Sequence, residues 1–211
     1  AVRALSGGEA SGMTAARYGF GPGDNPVFRG MYEASALKTG SGIQAAELLM
    51  DGTCDVAFNY SGGLHHAHPA RASGFCIFND VAVAIRWLIR HGVRVAYVDI
   101  DAHHGDGVQA AFSNTDQVLT LSLHQDGRTL FPGSGFVDET GRGAGEGYSV
   151  NLPLPPHTDD EMYLWAFRQV VPPLIHRFEP DVLVSQLGVD THYRDPLTHL
   201  ALTTEGHETL I

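Results

Sequence analysis

Cysteine is scarce in this chain: Cys54 and Cys76 are the only two among 211 residues, and they do not stand in CxxC spacing. A disulfide framework is therefore not what organises the fold, and a reducing, cytoplasmic setting is expected. Positive charge is short as well. Thirteen Lys and Arg face 24 Asp and Glu, a formal net charge of −11, which disfavours a phosphate backbone as ligand and suits a basic or neutral partner. Direct nucleic-acid binding is not expected. No stretch approaches the ~20 apolar residues of a membrane span and the N-terminus carries no apolar signal core, so no membrane partner is expected either. An initiator methionine is also missing: the chain runs from Ala1 to Ile211, which falls in a helical-looking segment, and both ends read as cuts in a longer protein.

Apolar residues, by contrast, make up 43% of the chain, enough for one substantial core, so a single domain over 1–211 is the default reading. The chemistry concentrates in Val93–Gln109, VRVAYVDIDAHHGDGVQ. A β-branched and aromatic run there empties into acids and histidines, as a buried parallel strand does at an active-site crevice. Side chains two apart share a face of a strand, so Asp99, Asp101 and His103 can point the same way. Asp101 and His103 suit Zn²⁺, whose catalytic sites take three protein ligands and leave one position open. The competing reading has the acids cap the next helix and the histidines stay solvated. Five ionisable groups within eight residues are costly to gather without a purpose, which weighs against it.

The remaining stretches fall around this strand. Residues 1–27 read as loop and fragmentary structure. Ser41-x-x-Gln44 reads as a capping box opening a helix that carries Ile43, Leu48 and Leu49 inward and stops near Gly52. Asp55–Tyr60 reads as a short strand, followed by the glycine-rich loop SGGLHHAHP with His65, His66 and His68. Adjacent histidines after glycines suit a base near a substrate; His68, ahead of Pro69, reads better as an ordinary hydrogen-bonded histidine. Asn79 caps a helix that stops at Gly92 and buries Val81, Ala84, Ile85 and Leu88. Trp87 at helical spacing reads as packing. A short helix over Val108–Phe112, a strand over Gln117–Leu123 and a helix from Thr158 with acids in its first turn repeat the strand–helix–strand unit of a parallel sheet. Pro172 and Pro173 are expected to kink or restart that last helix. A strand over Val182–Leu187 ends in Gly188-Val-Asp190, and Asp190, beside a glycine that leaves a metal room, is the candidate third ligand; a turn aspartate is the alternative. Gly141–Gly147 lacks a preceding strand, a following helix and a phosphate lysine, so it reads as a mobile surface loop rather than a nucleotide loop.

Taken together, HHAHPARASGFCIFND (His65–Asp80), YVDIDAHHGDGVQ (Tyr97–Gln109), LSLHQ, LFPGSG, GEGYSVNLPL and QLGVDTHYRDPLTHL resemble the zinc-dependent histone deacetylases, in particular their bacterial, acetoin-utilisation branch. The resemblance runs from about Asp24 to the end. It implies an α/β fold of arginase/deacetylase type, a three-layer, open, mainly parallel sheet with helices on both faces, truncated at both ends. It implies one zinc per chain on Asp101, His103 and Asp190, and two dyads, His65 with Asp99 and His66 with Asp106. In such a dyad the carboxylate orients the imidazole and raises its basicity. His66 would take a proton from the attacking water and return one to the leaving lysine amine, with His65 as electrostatic partner. Gly74, Phe75 and Phe131 match the acyl-lysine tunnel and Asp24 the rim that grips the substrate backbone. Potassium is implied at Asp99, Asp101, His103, Ser122 and Leu123, and at Phe112, Thr115, Val118 and Tyr148.

The implied activity is hydrolysis of Nε-acetyl-lysine in proteins, acetyl-CoA synthetase among the candidate partners. Acetylpolyamine hydrolysis and acyl-lysine binding without turnover are the alternatives. The family's oxyanion-stabilising tyrosine follows a motif placed beyond Ile211, and Tyr193 is not its equivalent; that departure is what keeps the binding-only reading in play. A dinuclear manganese site of arginase type would want an acid two residues before Asp190, where Gly188 stands.

Overall fold

The computed structural model describes residues 1–9 and 12–211, which divide into two compact units, Ala1–Arg90 and His91–Ile211. The first unit is helical. Two short helices, α1 (Val2–Ser6) and α2 (Gly12–Arg17), precede α3 (Met31–Met50) and α4 (Asp80–Arg90). Leu5, Ala15, Phe20, Met31 and Ala72 form a small core, and α3 packs on α4, with Gly42 facing Ala84.

Helix α3 begins ten residues before the expected capping box. Gly30, at φ 81°, delivers the chain into the helix, and the Ser41 hydroxyl donates to the Leu37 carbonyl at 3.1 Å, so it caps nothing. Serine inside a helix makes this i−4 bond readily, and the box was a coincidence of spacing. The strand expected at Asp55–Tyr60 is also absent. Val56, Phe58 and Tyr60 are exposed while Ala57 and Asn59 are partly covered, which is strand-like alternation, but among the described residues no strand pairs with them. A strand is defined by its partner's ladder, not by its own period.

The second unit is built on a four-stranded, wholly parallel sheet in the order β3-β2-β1-β4. Its strands are β1 (Val95–Asp99), β2 (Val118–Gln125), β3 (Ser149–Leu154) and β4 (Val182–Gln186). Helix α5 (Asp106–Phe112) joins β1 to β2, α6 (Asp160–Phe178) joins β3 to β4, and α7 (Thr204–Glu208) closes the chain. Every residue of β1 and β2 is buried, as in a parallel strand covered on both faces. Their two faces differ in character. Ala96, Val98, Leu119, Leu121 and Leu123 join α6 residues Tyr163, Ala166, Val171 and Phe178 in the main core. The alternate positions Tyr97, Asp99, Thr120, Ser122 and His124 place buried polar groups on the other face.

Strand β3 was not apparent in the sequence, where Pro153 breaks the pattern; it lies at the sheet edge, where a missing N–H costs no ladder bond. Helix α6, capped by the Asp159 carboxylate on Met162 N at 3.1 Å, runs through Pro172 and Pro173 without restarting. The carbonyls these prolines leave without helical donors belong to Arg168 and Gln169, both exposed, so water can satisfy them. The glycine-rich loop is fastened rather than loose. It carries a 3₁₀ turn at Gly143–Gly145, Arg142 N donates to Ser113 O at 2.7 Å, and a Cβ on Gly145 would sit within 2.7 Å of the Ser113 and Thr115 backbone.

Candidate functional site

Parallel register brings the carboxyl ends of the strands level, with Asp99 of β1 opposite both Ser122 and Gln186. The segments just beyond β1 and β4 therefore meet at one edge. There one ligand atom each from Asp101, His103 and Asp190 lies within 4.8 Å of the others. His103 Nδ1 stands 3.0 Å from Asp101 Oδ1 and 2.7 Å from Asp190 Oδ2. Ala102 N donates to Asp190 Oδ1 at 2.8 Å and His103 N to Asp101 Oδ1 at 2.8 Å. Burial works against a charge on His103, yet the bonds and charges of both aspartates outweigh it and hold the ring up at about 10. Burial pushes Asp190 up, with the Asp101 charge adding to it. Two part-buried carboxylates and an imidazole nitrogen converging on one point are a donor set that can hold a metal ion.

Asp99 is not part of this convergence. It is fully buried beneath it, accepting from the Tyr97 hydroxyl at 2.6 Å and from Asp101 N at 3.1 Å. Glycine 188 does leave room, but for a neighbour: a Cβ there would lie 2.7 Å from Asp101 Cγ and closer still to Oδ2.

In the first unit, His65 and His66 are both buried, their rings 4.0 Å apart and tilted by 52°. The start of α4 holds their loop. Asn79 Nδ2 donates to the His65 and Ala67 carbonyls at 2.9 and 3.1 Å, while its Oδ1 accepts from Ala82 N at 2.8 Å and so caps the helix as expected. Asp80 accepts from Gly63 N and Leu64 N at 3.2 and 2.8 Å; burial pushes its carboxyl up, the backbone bonds opposing. His65 and His66 belong to one unit and Asp99 and Asp106, in the first turn of α5, to the other. Their pairing enters below as a proposal.

The histone deacetylase domain family matches residues 2–211. The chain belongs to the histone deacetylase family. It is 48% identical over 209 residues to the acetoin utilization protein AcuC of Bacillus subtilis (strain 168), covering 99% of this chain and 54% of that protein. To the AcuC of Staphylococcus xylosus it is 46% identical over 204 residues, 96% of this chain and 53% of that one. The crystal structure of an HDAC homologue from Aquifex aeolicus superposes with a TM-score of 0.92 at 40% identity, over 99% of this chain and 57% of that one; an HDAC homologue complexed with SAHA matches to the same degree. The chain thus spans about half the length of the curated relatives it matches.

Within the deacetylase frame, the other expected residues take these places. Gly74 and Phe75, at φ 49° and 65°, form a tight turn closed by Cys76 N donating to Ser73 O at 2.8 Å, which holds Phe75 out at its tip, 64% exposed. A bulky residue in the left-handed region is strained, and such strain collects at functional sites. Phe131, half-exposed, presents its ring edge-on to His103 with centroids 6.3 Å apart. Asp24 is exposed in the loop before α3. Ser122 Oγ is bonded to His124 Nδ1, and the Phe112 and Tyr148 carbonyls accept from Thr115 N and Thr120 N.

A polar network around His104 and His124 was not apparent in the sequence. His104 bonds Ser134 Oγ at 2.9 Å and Gln109 Oε1 at 3.1 Å, Gln109 Nε2 donates to Glu139 at 2.8 Å, and Glu139 accepts from Gly135 N and Phe136 N. His124, 4.8 Å from His104 ring to ring, bonds the Gly135 carbonyl at 2.9 Å. The network ties the 131–139 loop to the strand ends. Burial opposes the charge on Glu139, but these donors prevail and hold it low; burial likewise lowers His104, and His124 to about 4. Its one signal in sequence was polar residues inside buried runs, at LSLHQ and HHGDGVQ.

Proposed function

We propose that this chain carries the catalytic centre of a zinc-dependent protein lysine deacetylase, which hydrolyses the amide of Nε-acetyl-lysine and releases acetate and free lysine. The observation that carries the reading is the convergence of Asp101, His103 and Asp190 at the sheet's carboxyl edge in a chain of this family. Two carboxylate oxygens and one imidazole nitrogen make a donor set that zinc accepts, and three protein ligands leave a position for chemistry. When bound, zinc supplies a Lewis acid toward the acetyl carbonyl and the attacking water.

His66, oriented by Asp106, removes a proton from that water and delivers one to the departing lysine nitrogen; His65, held by Asp99, steadies the charge. Burial of both imidazoles keeps bulk water from short-circuiting these transfers. Phe75 and Phe131 flank the methylene stem of the acyl-lysine, Gly74 lets it pass, and Asp24 holds the substrate backbone. The partner is an acetylated protein, acetyl-CoA synthetase among the candidates, met in the cytoplasm; potassium at the two carbonyl-lined positions named above completes the proposal.

The test is turnover of an acetyl-lysine peptide by the full-length protein with its metal counted. One equivalent of zinc, loss of activity on chelation and its return with zinc are expected. His66→Ala should lower the rate by about 10²–10⁴-fold with zinc still bound. Two equivalents of manganese and activity on a guanidino substrate would overturn the reading.

A further inference from the structure

We propose that Gln186 is a positioning residue for the metal centre: it fixes which oxygen of Asp101 faces the cation, and so limits the site to few donors. The inference rests on the metal reading given above and goes beyond the three ligands.

Gln186 is the last residue of β4 and 7% exposed, a long polar side chain closing the strand VLVSQ. Both ends of its amide are used. Nε2 donates to Asp101 Oδ2 at 3.0 Å and Oε1 accepts from Gly188 N at 2.7 Å, while its own carbonyl accepts from Ile100 N at 3.1 Å. The amide's orientation is forced by chemistry, because a carboxylate needs a donor and Gly188 N–H needs an acceptor. Turned over, the amide would set oxygen against oxygen and nitrogen against nitrogen. One side chain thus joins the segment carrying Asp101 to the segment carrying Asp190.

The consequence lies in how the carboxylates are divided. Asp190 turns Oδ2 to His103 Nδ1 and has Oδ1 tethered by Ala102 N. Asp101 turns Oδ1 to the same nitrogen and has Oδ2 tethered by Gln186. Each aspartate offers the common point one oxygen and keeps the other occupied. The tether on Asp190 is main chain; the tether on Asp101 is a side chain, the one of the two that a substitution can remove. With Oδ2 held, the site presents three donors, which suits a four-coordinate ion such as Zn²⁺. With Oδ2 released, Asp101 can chelate through both oxygens, which suits ions that take more oxygen ligands, such as Mn²⁺.

The experiment compares the full-length wild type with Gln186→Met, which keeps the buried volume and removes the amide's bonds to Asp101 and Gly188. Gln186→Asn, whose shorter amide cannot span Asp101 and Gly188, serves if the first variant does not fold. Zinc and manganese affinities are read by competition with a chromophoric chelator, and coordination number by the d–d absorption of the cobalt-loaded protein. Zinc affinity should fall by about 10–100-fold, the usual effect of removing a partner that orients a ligand. The preference for zinc over manganese should narrow, and the cobalt bands should weaken as coordination number rises. Lower melting temperature with unchanged zinc affinity and cobalt spectrum would assign Gln186 to folding alone and overturn the proposal. Failure of the wild type to bind zinc would remove the metal reading and this inference with it. Because binding is read apart from turnover, an inactive protein that shows the affinity difference would uphold Gln186 and remove only the deacetylase reading.

Discussion

Asn79 offers a test of how the histidine loop is held, because its side chain makes three hydrogen bonds that different substitutions separate. Replacement by Ala removes the cap on Ala82 N and the Asn79 donor to the His65 and Ala67 carbonyls, at a residue only 8% exposed. Loss of a side-chain N-cap costs about 1 kcal/mol. Each carbonyl that loses its donor costs about 1 kcal/mol, the usual worth of one hydrogen bond. The sum is about 3 kcal/mol, a sizeable share of the ~5–15 kcal/mol that holds a typical domain folded. Ser is as good a cap as Asn but cannot reach both carbonyls, so Asn79→Ser should recover about 1 kcal/mol of the loss. Urea unfolding of the full-length protein, read as a midpoint shift at constant slope, measures both variants. Equal stability of Asn79→Ala and wild type within 0.5 kcal/mol would refute the assignment, since three bonds at a buried site cannot vanish silently. Turnover should fall in the same order, Asn above Ser above Ala, if the loop's placement of His65 and His66 is what the bonds secure.

Two further expectations follow from the second unit. Gly188→Ala would drive a Cβ into Asp101, so it should cut metal affinity more than it lowers melting temperature of the metal-free protein; unchanged affinity would show that the loop yields instead. His124, neutral inside the protein and held at about 4 against an ordinary 6.5, binds its proton more readily when unfolded, so its contribution is full above pH 6.5 and is lost as pH falls toward 4. That fall is worth about 3 kcal/mol at most. Metal-free protein should weaken across that window and His124→Gln should flatten the loss; identical acid profiles would place the sensitivity elsewhere.

The place of the candidate metal group was legible in the sequence alone. Apolar β-branched runs ending in Asp101-x-His103 and Gly188-x-Asp190 are local patterns, and a parallel sheet turns two such strand ends toward one edge whatever the details of packing. The Asn79 cap was legible for the same reason, since a cap acts within one helical turn. Tertiary structure decided whatever depends on a partner far along the chain. Asp55–Tyr60 alternates like a strand yet has no strand beside it among the described residues, and β3 was hidden by a proline that an edge position tolerates. Ser41 could be weighed only once Leu37 was seen to lie in the same helix. Gln186 shows the divide most plainly: in sequence it is one polar residue at the end of VLVSQ, and its role appears only when Asp101, 85 positions earlier, is brought within 3.0 Å of its amide. Hydrogen bonds of that kind are fixed by the register between β1 and β4, which no local pattern encodes.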